Sequence, residues 1–180
     1  MTSSKHDRVR TLVLASLFLA AALLLPFLTG QIPQIGNMLC PMHIPVLLCG
    51  FFCGPWYGLG IGLCTPMLRF VLFGMPPLYP TGLAMAFELA AYGLICGLGY
   101  RPVARMRGKK RTVWIYIVLL AAMLAGRAVW GAVSAVLYGA RGTVFTPQAF
   151  LAGAFTKAVP GIILQIAVIP PLVAILEKNR

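Results

Sequence analysis

The chain has 180 residues, of which 60% are apolar and only 10% are charged. Soluble domains carry roughly 25% charged residues, so this composition excludes a water-soluble globule and indicates an integral membrane protein. The net charge of +12 would suggest nucleic acid in a soluble protein. Here most Lys and Arg residues lie in three clusters that flank apolar runs, a pattern typical of membrane topology.

The first apolar run, residues 12–29, follows a basic segment at residues 5–10. It lacks a small-x-small cleavage site before the next loop, so we interpret it as a retained helix rather than a signal peptide. Residues 31–43 are interrupted by Pro and Gly and predict an external loop.

Residues 43–99 form the longest apolar stretch and are too long for one span. They contain breaks at Gly54-Pro55 and at residues 74–80, where Gly and Pro cluster. These breaks predict three helices near residues 43–54, 56–73 and 81–100.

A basic linker at residues 101–111 separates these helices from two further apolar runs, 113–138 and 147–176. The positive-inside rule places this linker, the N-terminal basic cluster and Lys178 with Arg180 in the cytoplasm. The sequence therefore predicts an all-α integral membrane protein, one domain over residues 1–180 with six transmembrane helices and both termini cytoplasmic.

Four charged residues lie inside the predicted helices, all in their outer halves: Arg69, Glu88, Arg127 and Lys157. Ionised groups within a bilayer are costly, so such residues generally face a partner or a wet cavity. With His43 at the outer end of its helix, they predict a polar cavity open to the outside. The plainer alternative is that Glu88 bridges Arg69 or Lys157 for structural reasons alone.

The charge balance within this layer favours an anionic ligand. One carboxylate cannot neutralise three cations, and buried charges without counter-ions are unfavourable. Arg binds carboxylate or phosphate in a bidentate manner, and Lys supplies a point charge. Tyr92, four residues after Glu88, and Trp130, three after Arg127, are expected to line the same cavity, although Trp130 also fits an interfacial anchor.

Two stripes of small residues indicate close helix packing. Gly50, Gly54 and Gly58 recur every four residues, which predicts a close approach between the second and third helices. Ser16 and Ala20 form a small face on the first helix. That face suits either a partner protein or packing within the chain.

Several segments resemble the substrate-binding S components of energy-coupling factor (ECF) transporters. The similar segments are His43-Ile44-Pro45-Val46, Gly54-Pro55-Trp56-Tyr57-Gly58, Pro76-Pro77-Leu78-Tyr79-Pro80 and Phe87-Glu88-Leu89-Ala90-Ala91-Tyr92-Gly93. The resemblance implies a multi-pass plasma-membrane subunit that captures a water-soluble vitamin with high affinity. It also implies delivery by toppling in the bilayer, together with a transmembrane coupling protein and two cytosolic ATPases.

The resemblance further implies which residues contact the ligand and the partner. Ser16 and Ala20 occupy the place of an Ala-x-x-x-Ala surface that meets the coupling protein. Among vitamins, pantothenate or lipoate suits the excess positive charge better than cationic thiamin, and no cofactor is expected. The implied ligand-contacting residues are Asn37, His43, Glu88, Tyr92, Arg127, Trp130 and Lys157.

Three other functions compete with this interpretation. Met38, Cys40, Met42 and His43 offer soft ligands for transition-metal uptake, although no Cys-x-x-Cys motif accompanies them. A stand-alone secondary carrier would share the same spans. An enzyme is not expected, because the chain lacks a nucleophile elbow, a His-Glu-x-x-His motif and a phosphate-binding Gly loop.

Overall fold

The computed structural model describes residues 5–29, 39–106, 108–143, 146–153 and 158–178, and within these ranges the regular elements are all helices. Short helical turns at Leu25–Thr29, Leu78–Gly82 and Arg101–Arg105 connect or extend the main helices. The α-helices in chain order are α1 (Lys5–Leu24), α2 (His43–Cys53), α3 (Pro55–Phe73), α4 (Leu83–Tyr100), α5 (Lys109–Ala140), α6 (Pro147–Leu151) and α7 (Val159–Lys178).

The helix lengths confirm a multi-pass membrane architecture. A spanning helix needs about 20 apolar residues, and α2 has only 11. Six complete spans and the side on which the termini lie therefore stay predictions. In the described part of the chain, five segments are long and apolar enough to cross a bilayer: Lys5–Leu28, Pro55–Phe73, Leu78–Val103, Lys109–Ala140 and Val159–Leu176.

Two predicted boundaries are wrong. The single helix expected over residues 147–176 is present as two helices, α6 and α7. Pro160, in the first turn of α7, favours a helix start because its fixed φ suits that position and its missing N–H would be unpaired there. The basic linker is also shorter than expected, since α5 already begins at Lys109.

The predicted break at Gly54-Pro55 is confirmed. Gly54 has a φ of 92°, which is unfavourable for other residues, and its N–H donates to the Gly50 carbonyl at 3.2 Å. Pro55 then starts α3. The two helices on either side of this turn pack against α4.

Helix α4 lies at the centre of the fold and contacts α2, α3 and α5. The small-residue stripe joins α2 to α3 as predicted, since a Cβ at Gly58 would lie 2.9 Å from the Gly50 Cα, and it also contacts α4. A Cβ at Gly50 would lie 2.5 Å, and one at Gly58 2.6 Å, from the carbonyl oxygen of Gly93. Such distances leave no room for a side chain, so glycine permits the backbones to touch.

The apolar core forms around α4, and α1 lies at its edge. Only Ala15 and Ala22 of α1 are buried, which leaves most of that helix to face lipid or a partner. The largest fully buried apolar side chains of the core are Leu47, Leu89, Tyr92, Ile115, Leu119 and Ile169.

Candidate functional site

A buried polar cluster is built on one face of α4. Glu88 and Tyr92 lie four residues apart, so both side chains project from the same side of the helix, and each is only 1% exposed. The Tyr92 hydroxyl donates a hydrogen bond to Glu88 Oε1 at 2.7 Å. The tyrosine thereby holds the carboxylate in a fixed orientation.

Arg127 on α5 supplies the counter-ion of Glu88. Its Nη1 lies 3.0 Å from Glu88 Oε1, and both side chains are buried. The neighbouring residue, Gly126, makes this approach possible, because a Cβ at that position would overlap the Tyr92 ring. The pair is therefore dry, and its charges balance one another.

His43 and Cys40 complete the cluster from the start of α2. His43 Nε2 lies 3.7 Å from Glu88 Oε1, and its ring lies 5.5 Å from the Tyr92 ring. Cys40 Sγ lies 4.0 Å from Arg127 Nη2. Burial raises the pKa of the Cys40 thiol, which Arg127 only partly opposes, so the group is a neutral thiol at physiological pH.

Several polar atoms of this cluster lack a hydrogen-bond partner among the described residues. They are Nδ1 and Nε2 of His43 and Nε of Arg127. A buried polar atom without a partner costs about 1–3 kcal/mol, so natural proteins generally keep such atoms for a ligand or a water molecule. In the described part of the chain the cluster is buried rather than open to the outside as predicted, and these atoms are its unused hydrogen-bonding groups.

Arg69 lies in a different environment from that predicted. Its Nη1 donates to the Leu23 carbonyl at 3.0 Å, and its guanidinium lies 5.7 Å from the ring centroids of Phe27 and Phe73. In these contacts Arg69 fastens α1 to α3, and a role in ligand binding stays a prediction.

Trp130 lies on α5 one turn beyond Arg127 and stacks on Phe150 of α6, with ring centroids 6.2 Å apart. A Cβ at Gly153 would lie 2.6 Å from the Trp130 ring. Trp130 therefore joins α6 to α5. Two other predicted ligand residues, Asn37 and Lys157, lie outside the described residues.

Ser16 and Ala20 are both exposed on α1. The Ser16 hydroxyl donates to the Leu12 carbonyl at 3.0 Å, so its polarity is satisfied within the helix. Their face is small and largely apolar. It is also left open by the part of the chain that the structure describes.

The sequence did not identify two contributors to the cluster. Cys40 entered only as a soft metal ligand, although its position three residues before His43 places it near the same helix start. Gly126 had no distinguishing signal beyond its position next to Arg127. Within the described ranges, no group of three or more His, Cys, Asp or Glu residues could hold a metal ion.

Apolar helices around a buried polar cluster, with five segments of the described chain long enough to cross a bilayer, define a multi-pass membrane protein. A family model described as "ECF transporter, substrate-specific component" matches residues 10–173, so the chain belongs to that family. The resemblance predicted from the sequence is confirmed: the chain is a substrate-capture subunit of an ECF importer in the plasma membrane. Among curated proteins and among solved structures, none matches the chain.

Proposed function

We propose that this subunit captures an anionic water-soluble vitamin with high affinity, with pantothenate and lipoate as the favoured candidates. The supporting observation is the free edge of the Arg127 guanidinium. Nη1 is used by Glu88, whereas Nε has no hydrogen-bond partner among the described residues and Nη2 has only the distant Cys40 sulfur. Nε and Nη2 share one edge, which suits a bidentate carboxylate.

A ligand carboxylate beside Arg127 would require a second cation in this site. Glu88 already neutralises Arg127, so a ligand carboxylate needs further positive charge or hydrogen bonds to be stable in a dry environment. In our proposal Lys157 supplies the charge and His43 supplies a hydrogen bond. Both pantothenate and lipoate carry one carboxylate, whereas cationic thiamin would meet the guanidinium unfavourably.

The segment between α3 and α4 suits a cover over the bound vitamin. The Tyr79 hydroxyl donates to the Leu137 carbonyl at 2.6 Å, and the Arg141 guanidinium lies 4.7 Å from the Tyr79 ring. These contacts fasten the segment to the end of α5. In the proposed mechanism this segment and the loop before α2 close over the ligand, and the subunit then topples to release it inside.

If Arg127 and Lys157 hold the vitamin carboxylate, Ala at either position will weaken binding by about 1.5–3 kcal/mol, the contribution of a charged hydrogen bond. Equilibrium binding of labelled pantothenate and lipoate to the purified subunit measures this loss. Lys157→Ala leaves the Glu88 and Arg127 pair intact, and Arg10→Ala controls for the loss of an exposed cation outside the cluster. Unchanged affinity in both test variants would exclude the assignment.

The nature of the vitamin is tested by mass spectrometry of small molecules that co-purify with the subunit. A high-affinity binder retains its ligand through purification when the dissociation rate is slow. Recovery of a carboxylate-bearing vitamin supports the proposal. Recovery of a cationic vitamin or a transition metal contradicts it.

We further propose that Ser16 and Ala20 contact the coupling protein. Leu at either position is expected to abolish ATP-driven uptake in vesicles that contain the subunit, coupling protein and ATPases, and to leave vitamin binding intact. Ala22→Leu is the contrasting control, because Ala22 is 0% exposed and a larger side chain there should disturb folding and binding together. Uptake by the subunit alone without ATP would instead indicate a secondary carrier.

A further inference from the structure

A cavity that is open to the surface lies far along α5 from the Glu88 cluster, at the start of the helix. It has a volume of about 400 Å³ and an almost entirely apolar lining. The two charged residues in its wall, Lys109 and Lys110, are both exposed. The lining residues are Met106, Lys109, Lys110, Val113, Trp114 and Ile117.

The wall of this cavity is firmly attached to the end of α4. The Trp114 Nε1 donates to the Gly99 carbonyl at 2.9 Å, and Arg111 Nη2 donates to the Tyr100 hydroxyl at 3.3 Å. A Cβ at Gly99 would lie 2.7 Å from a Val118 methyl group, so the two helices are in close contact there. The cavity is therefore a fixed feature of the helix pair.

The apolar wall continues as an exposed ridge along α5. Val113, Ile117, Leu120 and Leu124 follow at spacings of four, three and four residues, which places them on one face, and all four are exposed. From Val113 to Leu124 the ridge is about 16 Å long at 1.5 Å per residue. One leaflet of the hydrocarbon core is about 15 Å thick, so the ridge matches one acyl layer.

We propose that this cavity binds an anionic phospholipid. The ammonium groups of Lys109 and Lys110 contact the phosphate, and an acyl chain lies against Trp114 and along the Val113 to Leu124 ridge. Charge complementarity supports this occupant, because basic residues next to a membrane-spanning helix attract anionic headgroups. A small soluble anion would leave the apolar lining and the ridge without a contact.

The experiment uses the full-length subunit, purified and depleted of lipid. Phosphatidylglycerol and phosphatidylcholine are added separately in mixed micelles, and bound lipid is counted by native mass spectrometry. We expect retention of phosphatidylglycerol over phosphatidylcholine. Lys109→Gln with Lys110→Gln should reduce that preference by about 25-fold, since each lysine near an anionic surface contributes about 5-fold.

Lys5→Gln with Arg8→Gln is the matched control, because these residues form an exposed basic pair at the start of α1. The control variant is expected to keep the preference. Equal losses in the two double variants would show a diffuse charge effect and overturn the proposal. Because all substituted side chains are exposed, neither variant is expected to prevent folding.

Two further measurements separate a lipid from other occupants. Glycerol phosphate, which lacks acyl chains, should not compete for phosphatidylglycerol at equal concentration; effective competition would overturn the role of the ridge. The coupling protein should still assemble with the Lys109→Gln and Lys110→Gln variant. Loss of assembly with unchanged lipid retention would assign the cavity to the protein partner and overturn the proposal.

Discussion

Replacing Glu88 with Gln is expected to destabilise the folded subunit by about 3–5 kcal/mol, the cost of leaving one partner of a buried ion pair without the other. Gln preserves the size of the side chain and can still accept the Tyr92 hydrogen bond. The loss therefore reports the unpaired charge of Arg127, which is only 8% exposed. Reversible unfolding in mixed micelles, followed by intrinsic tryptophan fluorescence, measures it.

The double variant Glu88→Gln with Arg127→Met tests whether the loss of stability comes from the unpaired buried charge. Removing both charges eliminates the buried cation, so the double variant should lose less stability than the two single variants together. Asp7→Asn is the control, since Asp7 is an exposed carboxylate on α1 and should change stability by less than about 1 kcal/mol. A Glu88→Gln loss as small as that of Asp7→Asn, or strict additivity in the double variant, contradicts the predicted coupling.

The sequence placed Glu88, Arg127, His43 and Tyr92 in one layer because the bilayer restricts where charges can lie, but it named Arg69 or Lys157, and not Arg127, as the structural partner of Glu88. A carboxylate and a guanidinium at similar depth in neighbouring helices are each costly alone, and together they form a favourable pair. The break between α2 and α3 could also be predicted from the sequence, because Gly54 adopts a positive φ that favours glycine and Pro55 favours the first turn of a helix. These features depend on local chemistry and on depth.

The position of Arg69 could not be predicted by the same reasoning. Depth in the bilayer gives the level of a side chain but not the direction in which the helix presents it. Arg69 is satisfied by the Leu23 carbonyl and by two aromatic rings, which are partners that a count of charges does not include. Whether a cation has a counter-ion is therefore poorly predicted from a list of ionised residues.

The axial register between neighbouring helices also could not be predicted from the sequence. The repeat of Gly50 and Gly58 indicated a close approach but did not name Gly93 as the contact. The fit of Gly126 against Tyr92 likewise depends on which turns of α4 and α5 face one another. A single sequence gives the face of each helix through its periodicity, but not the sliding of one helix along another.

The close contact between α3 and α4 predicts a second large loss of stability. Gly93→Ala is expected to destabilise the subunit by about 3 kcal/mol, at the upper end of the cost of overpacking. A Cβ at Gly93 would overlap the backbone of Gly58. Backbone atoms cannot move aside as a flexible side chain can, so the two helices must separate. Because Glu88 and Tyr92 lie on the same helix, vitamin binding should weaken together with stability.

Gly60→Ala is the matched control, because it makes the same chemical change in α3 at a position where a Cβ would meet nothing within 4 Å. Ala is a better helix former than Gly by about 0.5–1 kcal/mol, so this variant should be neutral or slightly more stable. The two substitutions thus have opposite expected signs, and thermal unfolding of both in the same detergent measures the difference. Equal stability changes would show that helix propensity, rather than the backbone contact at Gly93, decides the outcome.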